Sequence, residues 1–248
     1  MSSDVLINVL LAFMIIISFL FSIVLHECAH VVMAYWLGDR TAIDEGRLTL
    51  RFPEHIDPVG LLMCVILAFQ PITGALPVGL GWGKPVKPGP RTMKVGPDRG
   101  LLIVALIGPI FSLLLGLLVG FLTGFTLPYL ANKGFFPDRL LQLLVVFACT
   151  NVALAIFNLL PFYPLDGYQI VYALLPTRQA AQFAKSAAYG QFIILIIFFF
   201  LPFLGQIARI SNPLFEPAYY IWLGAAHLVG LTMPINFGFP LVSVYYVL

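Results

Sequence analysis

Residues 26–30 read HECAH, a spacing that places metal-binding and proton-transferring groups side by side. On a helix, positions i and i+4 share a face, so His26 and His30 can bind one metal ion while Glu27 stands beside it. Two imidazoles suit zinc, and a neighbouring glutamate can take a proton from water that the metal activates. The motif lies near the end of an apolar stretch, where burial of polar side chains costs free energy. Its presence there indicates that these residues take part in a chemical reaction.

A catalytic zinc usually has three protein ligands, and Asp166 is the best candidate for the third. It is the only acidic residue between Asp138 and Glu216. The alternative interpretation is an ordinary helix cap, since Asp-Gly after a proline is a common turn and cap signal. Two other histidines are weaker candidates. His55 lies in a polar loop, where a solvated or capping role is expected, and His227 is a lone histidine on a late apolar helix.

Asn158 is a second candidate for the reaction itself. Pro161 and Pro164 follow it and should interrupt the helix. The backbone groups that this break frees need hydrogen-bond partners, so the break is expected to line a cavity. An amide at such a break could bind a substrate or stabilise a developing oxyanion. The alternative is an amide that packs between helices.

Composition places the chain in a membrane. It is 60% hydrophobic and 10% charged, whereas soluble domains carry about 25% charged residues. No basic block suggests a nucleic-acid partner, and the three cysteines lie in apolar surroundings that argue against a disulfide framework. The lipid bilayer is therefore the expected environment, and residues 1–248 are expected to form a single transmembrane domain.

The apolar runs predict an all-α polytopic protein with about five transmembrane helices and a catalytic core at 5–167. The first helix is predicted at 5–37, the next two at about 100–128 and 139–160, and the C-terminal two at 187–204 and 218–234.

Two further segments lie between the first and second of these helices. Arg47, Leu48, Thr49, Leu50 and Arg51 alternate polar and apolar types, which predicts a short β-hairpin or edge strand near the site. An extended substrate could add to such an edge, so these five residues are candidates for substrate binding. Residues 58–80 are apolar but broken by Pro and Gly, which is typical of a re-entrant segment.

Charge predicts the topology. Eight of the 13 Lys and Arg residues lie within 38–100, on both sides of 58–80, and the positive-inside rule places them in the cytoplasm. The N-terminus is then outside, and 58–80 must return to the side from which it enters. Only a segment 58–80 that does not cross the membrane brings Asp166 to the same side of the membrane as His30. The site is therefore expected in the cytoplasmic half of the cell membrane.

Four segments carry a family resemblance: HECAH at 26–30, GRLTL…HIDPVG at 46–60, GWGKPV at 81–86, and N-x-x-P-x-x-P-x-D-G at 158–167. Together they resemble the site-2 protease family of intramembrane zinc metalloproteases, in its compact form without a PDZ domain. One departure is visible. The family often has an asparagine three residues after the Gly-Pro at 108–109, and this chain has Ser112, a small polar residue, at that position.

The resemblance implies one Zn²⁺ per chain bound by His26, His30 and Asp166, with Glu27 as the general base and Asn158 near the substrate carbonyl. It also implies cleavage in or near transmembrane segments, the substrates being membrane proteins or remnant signal peptides. Three alternatives remain open. They are a catalytically silent membrane zinc-binding protein, a transporter, and a different membrane zinc protease in which Glu216 is the downstream ligand.

Overall fold

The computed structural model describes residues 3–69, 78–209 and 213–233, most of which are helical. The α-helices in chain order are α1 (Ser3–Trp36), α2 (Thr41–Asp44), α3 (Pro58–Ala68), α4 (Pro97–Leu130), α5 (Phe135–Asn158), α6 (Asp166–Leu174), α7 (Thr177–Phe183), α8 (Gly190–Leu195), α9 (Leu201–Ala208) and α10 (Pro217–Leu231). Short 3₁₀ turns lie at Phe52–Glu54, Pro90–Thr92, Ala184–Tyr189 and Pro213–Phe215, and a π-helical turn at Ile196–Phe200 joins α8 to α9.

Within the described ranges, four helical segments are long and apolar enough to cross a membrane: Val5–Trp36, Pro97–Leu130, Phe135–Asn158 and Thr177–Ala208. The helix predicted at 218–234 corresponds to α10, apart from residue 234, which lies outside the described residues. The 15 residues of α10 rise about 22 Å, less than the roughly 30 Å of a hydrocarbon core. The mostly helical, multi-span architecture is thus confirmed, whereas the count of five spans is not.

The centre of the fold is formed by α1, α4 and α5, which pack against one another, while α6 packs on α4. Glycines on α4 let these helices approach closely. An ideal Cβ on Gly116 would lie only 2.7 Å from the carbonyl oxygen of Ala148 on α5. This close packing holds the parts of α1 and α4 that carry polar side chains in a fixed register.

The segment that includes α3 leaves and returns at the same end of the molecule. Asp57 caps α3 by accepting hydrogen bonds from the amides of Val59 and Gly60, at 2.9 and 3.0 Å. The returning chain then lies against α3, so that a Cβ on Gly60 would sit 2.8 Å from the Trp82 nitrogen. Residues 70–77 of the predicted re-entrant segment 58–80 lie outside the described residues. The described parts of 58–80 begin and end near each other.

The predicted strand at 47–51 does not form. These residues are coil and bends, and the β-type pairing found in the described part of the chain is a single antiparallel bridge between Ile56 and Gly83. The hairpin predicted near the site is therefore absent from this segment.

The reason lies in the direction of the side chains. Arg47 is buried, whereas Leu48 and Leu50 are exposed, so the alternation places the polar residue inside. The Thr49 carbonyl accepts a hydrogen bond from the Nε2 of His55 at 2.7 Å, which wraps the backbone locally and removes that carbonyl from any ladder. The polar–apolar alternation at 47–51 therefore belongs to an irregular segment that wraps around the buried side chain of Arg47.

Asp39 fastens the basic loop of residues 84–94 to the end of α1. Its carboxylate accepts hydrogen bonds from the Thr41 amide and hydroxyl at 3.0 and 2.6 Å, from the Gly89 amide at 2.6 Å and from the Thr92 hydroxyl at 3.3 Å. Gly38, in the left-handed region with a φ of 105°, makes the turn that brings Asp39 into place. Burial opposes ionisation of Asp39, but these hydrogen bonds outweigh it and hold the pKa below its ordinary value of 3.8.

We expect Asp39 to stabilise the fold in a pH-dependent way. Because its pKa is lowered by folding, its contribution is fully present above the ordinary pKa and is lost as the pH falls through the lowered pKa of the folded state. Thermal unfolding in detergent should therefore show Asp39→Asn destabilised by about 1–3 kcal/mol at neutral pH, with the difference from wild type shrinking in acid. Asp44→Asn, at an exposed position, is the control. An equal difference at every pH would contradict the role given to this carboxylate.

Candidate metal centre

The two histidines of the HECAH motif lie one helical turn apart on α1 and face the interior. Both side chains are buried, and their ring centroids are 4.8 Å apart. Helical geometry alone accounts for this pairing, because residues four apart project from the same face. As the sequence predicts, His26 and His30 can therefore act as a pair of ligands.

Asp166 joins this pair from the first residue of α6. Its Oδ2 lies 2.9 Å from the Nε2 of His26, and its Oδ1 lies 3.2 Å from the Nε2 of His30. Potential ligand atoms of the three residues lie within 4.8 Å of one another. The helix-cap alternative does not describe this position, because the cap residue of α6 is Leu165 and no side chain makes a cap hydrogen bond there.

Helix α4 orients both imidazoles from the opposite side. The Ser112 hydroxyl lies 2.9 Å from the Nδ1 of His26, and the Val104 carbonyl oxygen lies 2.7 Å from the Nδ1 of His30. In each ring the Nε2 is thereby left to face Asp166. Such outer partners fix the tautomer and rotation of metal-binding histidines.

The surroundings of His30 test whether a metal fits. The Val104 carbonyl can only accept, so His30 donates from Nδ1, and its Nε2 points at an oxygen of the Asp166 carboxylate. That nitrogen makes no hydrogen bond among the described residues. A buried carboxylate between two imidazoles needs a cation, which is either a proton on an imidazole or a metal ion bound by all three side chains. Two imidazole nitrogens and a carboxylate form a donor set that suits zinc.

Gly108 makes room for the centre. An ideal Cβ on this residue of α4 would lie 2.7 Å from the Nε2 of His26 and closer still to the Nε2 of His30. Any side chain at position 108 would therefore occupy the space in front of both ligand nitrogens. Position 108 requires glycine because there is no space for a Cβ atom, and not because the backbone needs an unusual conformation.

Glu27 is buried beside the centre with one oxygen available. Its Oε2 has no hydrogen-bond partner in the described residues, while its Oε1 lies 2.8 Å from the position that a Cβ of Gly83 would occupy. The backbone of Val86 hydrogen-bonds to the same carboxylate, and Arg47 interacts with it electrostatically. The GWGKPV segment thus borders the glutamate.

Asn158 is placed less clearly. It is buried at the end of α5, and its Nδ2 donates to the Leu154 carbonyl of its own helix at 3.0 Å. This bond is what a packing amide would make. The same amide group retains a second N–H, which this contact does not use.

The remaining candidates lie elsewhere. His55 is buried instead of solvated, with its Nδ1 unpartnered among the described residues, and burial lowers its pKa. His227 lies on an exposed face of α10 and does not belong to the group of three potential ligands. Of the five residues predicted to bind substrate, Arg47 is buried, and Leu48, Leu50 and Arg51 are exposed.

The contributions of α4 are not evident from the sequence. Val104 acts through its backbone, and Gly108 acts through the absence of a side chain, so neither carries a chemical signature. Ser112 stands out only as a departure from the family pattern. The small residues at positions 108, 112 and 116 of α4, spaced four apart, indicate a close helix–helix contact and are the one signal available.

Comparison with known proteins places this centre in context. A family model described as "Peptidase family M50" matches residues 135–201, which include Asp166. A Bacillus subtilis (strain 168) protein named "Putative zinc metalloprotease YwhC" is 33% identical over 185 residues, covering 74% of this chain and 79% of that relative. No solved structure matches the chain.

Proposed function

Because this chain belongs to peptidase family M50 and is a multi-pass membrane metalloprotease, we propose that it hydrolyses peptide bonds in or near the transmembrane segments of other membrane proteins. The observation that carries this proposal is the convergence of two imidazoles, one carboxylate and an unpartnered glutamate oxygen on a membrane-spanning helix.

The family implies zinc, and in our proposal His26, His30 and Asp166 hold one Zn²⁺ ion. When bound, zinc makes water easier to ionise and polarises a carbonyl group. The Ser112 hydroxyl and the Val104 carbonyl keep the two imidazoles turned toward Asp166. The protein thereby fixes the ligands before metal arrives, which limits the reorganisation that binding requires.

Glu27 is the proposed general base. Its Oε2 accepts a proton from water as the water oxygen bonds to the carbonyl carbon of the substrate. The same carboxyl then passes this proton to the amide nitrogen as the carbon–nitrogen bond breaks, so Glu27 ends each cycle ionised. Contacts with Gly83 and Val86 limit its rotation. The unused N–H of Asn158 is proposed to stabilise the oxyanion that develops on the substrate carbonyl.

The proposed placement in the cell membrane puts the site in the cytoplasmic half of the bilayer and the N-terminus outside. The basic loop around residues 84–99, which carries five exposed cations, supports this orientation through the positive-inside rule. Because the described parts of 58–80 start and end together, they support a segment that re-enters the bilayer without crossing it.

The proposed substrates are transmembrane proteins or remnant signal peptides. Leu48 and Leu50 are exposed on the segment whose Thr49 carbonyl accepts a hydrogen bond from Cys28, next to Glu27. In our proposal, they contact apolar side chains of a substrate near the scissile bond. This contact replaces the edge-strand addition that the sequence suggested.

The proposal is tested with purified protein in liposomes that contain a membrane-embedded reporter substrate. Wild type should cleave the reporter, a zinc chelator should stop cleavage, and added zinc should restore it. Asp166→Asn removes an anionic ligand and should weaken zinc binding by at least about tenfold, with a parallel loss of cleavage. Zinc content is measured by mass spectrometry. Asp98→Asn, at an exposed position, should behave as wild type.

The outcomes separate the alternatives. Zinc bound by the wild type without cleavage of any reporter would favour a catalytically silent zinc-binding protein. Uptake of a solute by the liposomes without cleavage would favour a transporter. Unchanged zinc content in Asp166→Asn would point to a different third ligand.

A further inference from the structure

Arg47 is an unusual feature of the region beside Glu27. It is about 5% exposed, yet the described part of the chain holds no carboxylate within ion-pair distance of its guanidinium. Glu27 interacts with Arg47 electrostatically from beyond ion-pair distance. A buried cation without a direct ionic contact is costly, so its presence requires compensating hydrogen bonds.

Two backbone carbonyls provide those interactions. One guanidinium nitrogen donates to the carbonyl of Glu54, and another donates to the carbonyl of Lys84. The first carbonyl belongs to the turn before α3, and the second lies inside the GWGKPV segment. The fixed fork of an arginine can bridge two acceptors in this way, whereas a lysine ammonium is a compact point charge.

The two hydrogen bonds of Arg47 lie close to the part of the GWGKPV segment that borders Glu27. Beside them, the Lys84 amide donates to the His55 carbonyl at 2.7 Å, and Gly83 forms its β-bridge with Ile56. On either side of Lys84, the Val86 backbone hydrogen-bonds to the Glu27 carboxylate, and a Cβ on Gly83 would lie 2.8 Å from its Oε1.

We propose that Arg47 is a positioning residue, whose buried guanidinium ties the 52–56 turn to the 83–86 segment and thereby holds the backbone that orients Glu27. This inference rests on the proposed role of Glu27 as general base. It assigns Arg47 no contact with the substrate, in contrast to the expectation from the sequence.

Cleavage kinetics test the proposal. Arg47→Met should lower kcat by about tenfold to a hundredfold, since a misplacement of about 1 Å in a reacting group can cost that much. KM and zinc content should stay near wild type, because the ligands come from α1 and α6. Arg178→Met, at an exposed position of α7, is the matched control and should not change kcat. Added guanidinium ions should restore part of the activity of Arg47→Met, whereas sodium at equal ionic strength should not.

A second readout does not depend on activity. The half-buried Cys28 donates its thiol hydrogen to the Thr49 carbonyl at 3.5 Å, while Cys64 and Cys149 are fully buried. Because Arg47 also interacts electrostatically with Cys28, the test includes Arg47→Lys, which keeps the charge but loses the fork that bridges the two carbonyls. Displacement of the 47–56 segment in Arg47→Lys should speed alkylation of Cys28 several-fold. Unlabelled Cys64 and Cys149 would show that the fold is intact.

Wild-type kcat in Arg47→Met together with wild-type Cys28 alkylation in Arg47→Lys would overturn the proposal. So would a loss of activity without any guanidinium rescue and with unchanged Cys28 alkylation. If the wild type itself does not cleave the reporter, the proposed function fails, and the alkylation result still decides whether Arg47 holds this segment.

Discussion

Glu27→Gln should leave zinc bound at one ion per chain and reduce cleavage of a membrane-embedded reporter by at least about a hundredfold. Glutamine has nearly the same shape as glutamate, so the contacts with Gly83 and Val86 can persist. Its amide cannot take a proton from water at neutral pH. The chemical step should therefore fail while the metal centre survives.

The measurement pairs single-turnover cleavage in liposomes with zinc analysis of the same sample. Glu45→Gln changes an exposed glutamate at the C-terminal end of α2 and should retain full activity. Cleavage by Glu27→Gln at a wild-type rate would remove the assignment of the base. Because this variant should bind substrates without releasing products, mass spectrometry of peptides that co-purify with it can also identify the substrates.

The second large effect is expected at a residue without a side chain. Gly108→Ala should lower zinc affinity by about tenfold or more, because the new methyl group overlaps the space in front of both ligand nitrogens. Either the imidazoles rotate away from Asp166, or α4 retreats and draws the Ser112 and Val104 partners with it. Both responses disturb the centre, and cleavage should fall together with zinc content.

The matched control is Gly224→Ala on α10. A Cβ there would meet a single neighbour, the Cδ1 of Ile156, at an ordinary 3.7 Å. Both substitutions raise helix propensity equally, so any difference between them reflects space. Equal zinc affinity in the two variants would show that α4 does not approach the ligands as closely as the geometry indicates.

The structure agrees with the sequence where the geometry follows from local periodicity. The pairing of His26 and His30 depends on helical spacing alone, and α1 occupies nearly the predicted residues. Asp166 was found differently, by the scarcity of acids and by a topology that had to bring it to the side of His30. The structure brings these three residues together, although the sequence contains no direct record of that contact.

Prediction failed where the outcome depends on distant partners. The alternation at 47–51 was interpreted as a strand, but the partner that decides its conformation is a carbonyl 37 positions away, at Lys84. The contributions of Val104, Gly108 and Ser112 likewise depend on the position of α4 along α1. Tertiary packing sets the register of these two helices, and patterns in a single sequence do not reveal it.

The arrangement of the three candidate ligands has a consequence for the stability of the protein in the cell. His26 and Asp166 are 140 positions apart, and α4, which lies between them in the chain, packs against both α1 and α6. An unfolded chain does not bring these three side chains together, so we expect zinc to bind the assembled bundle and each tenfold rise in free zinc above Kd to add about 1.4 kcal/mol to the free energy of unfolding. We therefore expect the supply of zinc to set the abundance of the protein as well as its rate. In a cell starved of zinc, the apoprotein should unfold more often and be exposed to quality-control proteolysis.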